Sequence, residues 1–388
     1  MTREHIFKNA RIVLRDEVFT GAVKIADGVI QSIAPGPCNV TDAEDLGNDY
    51  LLPGFVELHT DNLEQELEPR PGVFWPDPLA SVLAHDNTMA GAGITTVLDA
   101  VSLGEYHDGP KRSRMMDLSL KALRRARATG ILRADHRLHL RCEFSDPNVL
   151  DMLLPHIDDP KLMLVSLMDH TPGQRQFTDT DTYRAYYKKG WSDAEFAELS
   201  QRLRATQQAC AEDNRQGIVA LCRERGIPMA SHDDTLPAHV AQAVAEGMAI
   251  SEFPTTAEAA RLAREAGIQI VMGGPNLVRG ASHSGNVSAR ELAGEGLLDI
   301  ISSDYVPGSL AGGAFALHRD LGFSLPDAVA RISANPADAV GLADRGRIAC
   351  GLRADLVRVR EIEGVPAVLR TWSVGCSGSL EITAKNAA

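Results

Sequence analysis

The stretch Pro53-Gly54-Phe55-Val56-Glu57-Leu58-His59-Thr60-Asp61-Asn62 decides how this chain is read. A Pro-Gly turn leads into a short apolar run that ends in polar side chains. On an extended strand, residues two apart share a face, so His59 and Asp61 project together. An imidazole and a carboxylate on one face make half of a divalent-metal site.

Seven more short apolar or β-branched runs follow: GITTVLDAVS (93–102), RLHLRCEFS (137–145), KLMLVSLMDH (161–170), GIPMASHDD (226–234), MAISEFPTT (248–256), GIQIVMGGPN (267–276) and LLDIISSDYVP (297–307). Helical stretches separate them, such as RMMDLSLKALRRARATG (114–130) and TAEAARLAREAG (256–267). Strand-helix alternation repeated eight times is the rhythm of a (β/α)8 barrel of the TIM type, with eight strand C-termini at one mouth. An open doubly wound sheet is the alternative, but no GxGxxG follows the first strand.

Outside this middle segment the texture changes. HIFKNARIVL (5–14) and AVKIADGVIQSIA (22–34) alternate apolar and polar residues, with Asp27-Gly28 placed for a hairpin turn. Strand-like texture returns in residues 346–378. The two ends are expected to pair into one small β-sandwich domain, giving 1–53 as its first part, 54–340 as the barrel and 341–388 as its second part.

Polar residues cluster at the strand ends. Beside His59 and Asp61 stand Glu143 on the third strand, Asp169-His170 on the fourth and His232-Asp233-Asp234 on the fifth. Glu252 ends the sixth and Asp304 the eighth. Three histidines and several carboxylates at one rim are enough for two hydrolytic metals, with His59, Asp61, Glu143, His170, His232, Glu252 and Asp304 as candidate ligands. Any one of them alone reads as a capping or core residue. Asp233 and Asp234 are expected to cap the following helix.

The net charge of −13 speaks against a nucleic-acid surface, and no run approaches a membrane helix. Six scattered cysteines without a CxxC pair fit a reducing cytoplasm. A homo-oligomer is expected only from the prevalence of symmetric assemblies.

PGFVELHTDN after a small β segment, SHDD, SSDY and GRIACGLRADLV together resemble the amidohydrolase superfamily. LMDHTPGQRQF, ASHDDT, EFPTT, GGPNLVRGASHSGN and SSDYVPGSL further resemble its phosphonate-metabolism branch, over about residues 5 to 380. Three features depart from the superfamily pattern. Asp61 replaces the second histidine of His-x-His, the fourth strand offers no lysine, and Glu252 stands where a histidine is usual. Glu143 or Asp169 is then the expected bridging ligand.

The resemblance implies hydrolysis of α-D-ribose 1-methylphosphonate 5-triphosphate to the 5-phosphate and pyrophosphate, in the carbon–phosphorus lyase pathway. It implies one or two divalent ions, zinc first, with Mn or Fe suited by ligand type. Asp304 becomes the candidate general base. A phosphorylated ribose substrate needs a local anion site, for which Arg175, Asn276, Arg279 and His283 are candidates in the loops after the fourth and seventh strands. Lys188-Lys189 reads as solvated surface. Two alternatives stand beside this: a C–N hydrolase (deacetylase, deaminase or cyclic amidase), and a metal-free structural relative. Arg279 and His283 have no obvious use in a neutral amide pocket.

Overall fold

The computed structural model of the chain describes residues 4–105, 111–187, 190–282, 285–374 and 381–383. His283, Lys188 and Lys189 lie outside the described residues. The first fifty residues supply β1 (Glu4–Val13), β2 (Val18–Ala26), β3 (Val29–Pro35), β4 (Glu44–Asp45) and β5 (Tyr50–Pro53). Then come β6 (Phe55–Thr60), β7 (Ile94–Leu103), β8 (Asp135–Glu143), β9 (Leu162–Met168), β10 (Met229–His232), β11 (Ile250–Glu252), β12 (Gln269–Gly273) and β13 (Ile300–Ser302). The chain ends with β14 (Leu356–Ile362), β15 (Val365–Ser373) and β16 (Glu381–Thr383).

Strands β6 to β13 lie side by side in sequence order, every neighbouring pair parallel. The sheet closes through a parallel bridge between Thr60 and Asp304. Asp61 N donates to Asp304 O at 3.0 Å and Asp304 N to His59 O at 3.1 Å. Thus the eighth strand returns to the first, as the strand-helix rhythm requires. Val56, Leu58, Leu98, Leu164, Ala230, Ile250, Val271 and Ile300 fill the lumen, stoppered by Ala337, Val340 and Leu342. At the N-terminal end of the barrel, buried Arg345 donates to Thr96 Oγ1 at 2.9 Å and to Asp135 Oδ2 at 2.8 Å. Polar contacts at that end of a barrel serve stability.

The terminal segments meet in a second, separate sheet whose order runs β16-β15-β14-β5-β1-β2-β3, with β4 beside β1. Asp27 and Gly28, at φ 50° and 75°, make the β2–β3 turn; both central residues of a type I′ hairpin need positive φ. Phe7 and Trp372 bring the two ends of the chain together, their rings 4.5 Å apart in a core shared with Ile12, Ile25, Leu51 and Leu356. Truncating such a buried aromatic typically costs about 3–5 kcal/mol.

One long helix, Asp193–Arg225, follows β9. It begins in a reciprocal Ser192–Glu195 capping box and ends at Gly226 with φ 63°, both strong terminator signals. Among the described residues no helix is long and apolar enough to cross a membrane. Cys38, Cys142, Cys210, Cys222 and Cys350 are free thiols.

Candidate metal centre and active site

A cavity of about 430 Å³ opens where the barrel strands end, and His59, Asp61, His170, His232, Asp233 and Asp304 all line it. Residues up to 245 positions apart in sequence therefore meet at one mouth (304 minus 59).

Two buried carboxylates lie behind the histidines and set how the rings face. Glu252 accepts from His59 Nδ1 at 2.9 Å and from His232 Nδ1 at 3.2 Å. Glu143 accepts from His170 Nδ1 at 2.6 Å and from the His170 backbone N–H at 2.9 Å. With Nδ1 engaged, each ring offers Nε2 to the cavity, the arrangement that orients imidazole ligands in metal sites. Glu143, expected as a ligand or bridge, instead backs His170 and does not line the cavity. Below Glu252 the polar layer continues: Ser166 Oγ donates to Glu252 at 2.7 Å, and His139 packs against Ser166 and Leu58 O. Burial drives His139 down to about 3, so it stays neutral.

Two sets of donors have ligand atoms within 4.8 Å of one another. His170, His232 and Asp233 line the cavity and could share an ion. In the other set, His59, His232 and Glu252, the closeness includes the Nδ1–carboxylate bonds behind the rings. His232 belongs to both. Imidazoles and carboxylates in a buried cavity are the donor chemistry of Zn, Mn or Fe(II) hydrolase sites. A third such set, His85, Asp99 and His136, lies outside this cavity. Its atoms are hydrogen-bonded: His85 Nε2 to Asp99 at 2.8 Å, His136 to Asp99 at 2.9 Å and to Asp86 at 3.3 Å, and Asn62 Nδ2 to His85 Nδ1 at 3.0 Å.

Asp233 and Asp234 do not cap the next helix. His239 Nδ1 accepts from Thr235 N at 3.1 Å and Leu236 N at 3.3 Å and does that work. Asp233 turns into the cavity with φ 54°, and Asp304 and Phe253 share its left-handed backbone at 54° and 55°. Non-glycine residues held there cost of order 1–3 kcal/mol each and cluster at functional sites. Here three barrel strands end in one. Phe253 packs edge-on against His59 and His232, at 5.0 and 5.5 Å between centroids.

The charges follow from burial. Asp304 is pushed up to about 6, first by desolvation and then by the Asp61 carboxylate. Such a group gains from a nearby cation. Desolvation opposes ionisation of Asp61 as well, but Arg141, 2.6 Å away at Asp61 Oδ1, holds its carboxyl below the ordinary range. Desolvation raises Asp169, and the neighbouring Glu143 adds to it.

The expected anion-binding residues separate into three kinds. Arg279 lines the cavity and is exposed there. Asn276 lines it too, but its Oδ1 accepts from Ala289 N at 3.0 Å, bracing the loop. Arg175 is corrected: it is buried away from this cavity, its guanidinium paired with Asp234 and its Nη2 donating to Gln242 at 3.2 Å. His283 is outside the described residues. The sequence reading passed over Lys111, Arg112 and Arg141, which also line the cavity. Arg141 was legible, since it sits two residues before Glu143 on one strand face; Lys111 and Arg112 look like an ordinary basic helix start.

The sequence model of the amidohydrolase family matches residues 50–375. An α-D-ribose 1-methylphosphonate 5-triphosphate diphosphatase of Escherichia coli (strain K12) is 44% identical over 374 residues, 95% of this chain and 99% of that protein. Among solved structures, a 5-methylcytosine deaminase from Klebsiella pneumoniae has a TM-score of 0.65 at 15% identity, covering 99% of this chain and 98% of its own. An N-acetylglucosamine-6-phosphate deacetylase from Pasteurella multocida has a TM-score of 0.60 at 14% identity, covering 95% and 98%. These two likenesses establish the fold alone.

Proposed function

The chain belongs to the amidohydrolase family, and from that premise we propose that it hydrolyses α-D-ribose 1-methylphosphonate 5-triphosphate to the 5-phosphate, releasing pyrophosphate. The observation that carries this is the 44% identity to the E. coli diphosphatase along nearly the full length of both chains. The cavity agrees with it: four cations, Lys111, Arg112, Arg141 and Arg279, line the same space as the histidines and carboxylates. A neutral amide pocket would have no use for them.

The family is metal-dependent. His59, His232 and Asp304 would hold the ion, zinc by preference, with Asp61, His170 and Asp233 at hand for a second. A bound divalent ion supplies a Lewis acid that draws electron density from a P–O bond and makes a nearby water more acidic. The protein's own groups do the rest. Glu252 and Glu143 keep the imidazoles facing the cavity. Asp304 takes a proton from the attacking water at its carboxylate and gives it up to the departing pyrophosphate as the α–β phosphoanhydride bond breaks. Arg279 steadies phosphate oxygens from the side of the loop after β12. With no paired cysteines among the described residues, we place the activity in the cytoplasm.

A phosphorus NMR time course on metal-loaded protein with this triphosphate tests the reading. Pyrophosphate should appear, stop on addition of a chelator, and resume when divalent metal is restored. Stable substrate over metal-replete protein would overturn the phosphoanhydride reading and turn attention to C–N bonds.

A further inference from the structure

Resting on the triphosphate reading above, we propose that Lys111, Arg112 and Arg141 form a rail of three cations, rim to floor, along which the triphosphate lies.

The three residues share one wall of the cavity. Lys111 and Arg112 open the helix Lys111–Thr129, which follows β7, and Arg141 stands on the adjacent strand β8. Their depths differ. The Lys111 side chain is 65% exposed and that of Arg141 9%. Arg112, next to Lys111 on the first turn of the helix, is half-buried between these extremes.

Both ends of the rail are fixed. Lys111 Nζ pairs with Glu68 at 2.9 Å and Arg141 Nη1 with Asp61 at 2.6 Å. The helix start between them is pinned by Glu105, whose Oε1 accepts from Ser113 N at 2.7 Å and Ser113 Oγ at 3.1 Å. Asp61 replaces a histidine of the usual motif, and the carboxylate has a use a histidine could not serve: it anchors a buried guanidinium, which must be paired to persist there. Guanidinium forks then face phosphate oxygens at two depths.

A ligand placed with its first phosphate at the floor reaches Arg141, with a second reaches Arg112, and with a third reaches Lys111. The rail therefore counts phosphates. It also directs the products: the α-phosphate stays beside Asp304, and the pyrophosphate leaves along the rail toward solvent.

The test is calorimetric titration of metal-loaded protein with inorganic phosphate, pyrophosphate and tripolyphosphate, with metal content checked afterwards. Wild-type affinity should climb with phosphate number. Lys111→Ala should weaken tripolyphosphate about tenfold and leave pyrophosphate within about twofold, while Arg112→Ala should weaken both about tenfold. Arg141→Lys should weaken all three ligands. Lys111 is exposed, so folding does not depend on it. Arg112 is half-buried, so Arg112→Ala is checked by urea unfolding, and unchanged tripolyphosphate binding in both folded variants would overturn the rail. Wild-type pyrophosphate release together with that result would sink the rail alone. Graded binding without any turnover of the ribose triphosphate would instead uphold the rail and sink the proposed reaction.

Discussion

Asp304 donates its backbone N–H to the carbonyl of His59 at 3.1 Å, across the seam where the barrel closes. The proposed base and a proposed ligand are thus positioned by main chain, and Thr60 Oγ1 adds a bond to Asp304 O at 3.1 Å. An isosteric change at 304 should leave this frame intact. Asp304→Asn is expected to fold, to keep metal through His59 and His232 though less tightly, and to lose turnover by at least about 100-fold, far more than its loss of metal. Phosphorus NMR rates alongside elemental analysis decide it; loss of metal in step with turnover would make Asp304 a ligand first.

Glu252 serves two imidazoles at once, and an amide cannot imitate that, because only one of its two polar atoms accepts. Glu252→Gln is expected to lower metal affinity about 10–100-fold, as substitutions behind metal-binding histidines do. Competition with a chelator of known affinity measures it. Wild-type affinity in the variant would mean that Glu252 does not set the rings.

Arg175 and Arg279 should behave oppositely. Arg175→Met leaves Asp234 buried without its cation, although Ser231 and Ser251 still donate to it, and removing one partner of a buried pair costs about 3–5 kcal/mol. Denaturant unfolding should register this. Arg279→Ala should unfold as the wild type does and raise KM for the triphosphate. A destabilised Arg279→Ala, or an Arg175→Met of wild-type stability, would contradict the placement of these side chains.

His136 makes a pH prediction. Desolvation opposes its charge, but Asp99 and Asp86 hold it protonated, with its pKa raised from 6.5 to about 10. A raised folded-state value stabilises fully below the unfolded value and is lost as pH rises through the folded one. Stability from this group should therefore be complete below about pH 6.5 and fall away toward pH 10. Urea unfolding of wild type and His136→Gln checks it: the variant should be less stable at neutral pH and its curve flatter between neutral pH and 10. Parallel curves would assign the alkaline loss to other groups.

The barrel was legible because its signal is periodic: each strand run ends in side chains whose polarity has no other use. His59, Asp61, His170, His232 and Asp304 come to one cavity for that reason. What escaped was decided by contacts distant in sequence. Ser-His-Asp-Asp reads as a helix cap until a left-handed turn at Asp233 sends its carboxylate inward, and nothing local announces that turn. Arg175, in a glycine-containing loop, reads as a phosphate contact; Asp234, just past the end of another strand, claims it. Glu143 has the composition of a ligand, and only the 2.6 Å contact with His170 reveals it as the support behind one. Lys111 and Arg112 gain meaning from Arg141 on the neighbouring strand.

Strand β5 lies between β1 and β14, and its Tyr50 pairs with Val359. The lumen stopper and Arg345 likewise come from the last part of the chain. During synthesis, then, β1 to β5 can pair among themselves, but β5 keeps one bare edge until β14 has emerged. Such distant pairings are slow to form and expose strand edges meanwhile. A chain cut short before β14 would keep the barrel seam between Thr60 and Asp304 but leave β5 with an open edge and Phe7 without Trp372, so the cost of truncation falls on the second sheet.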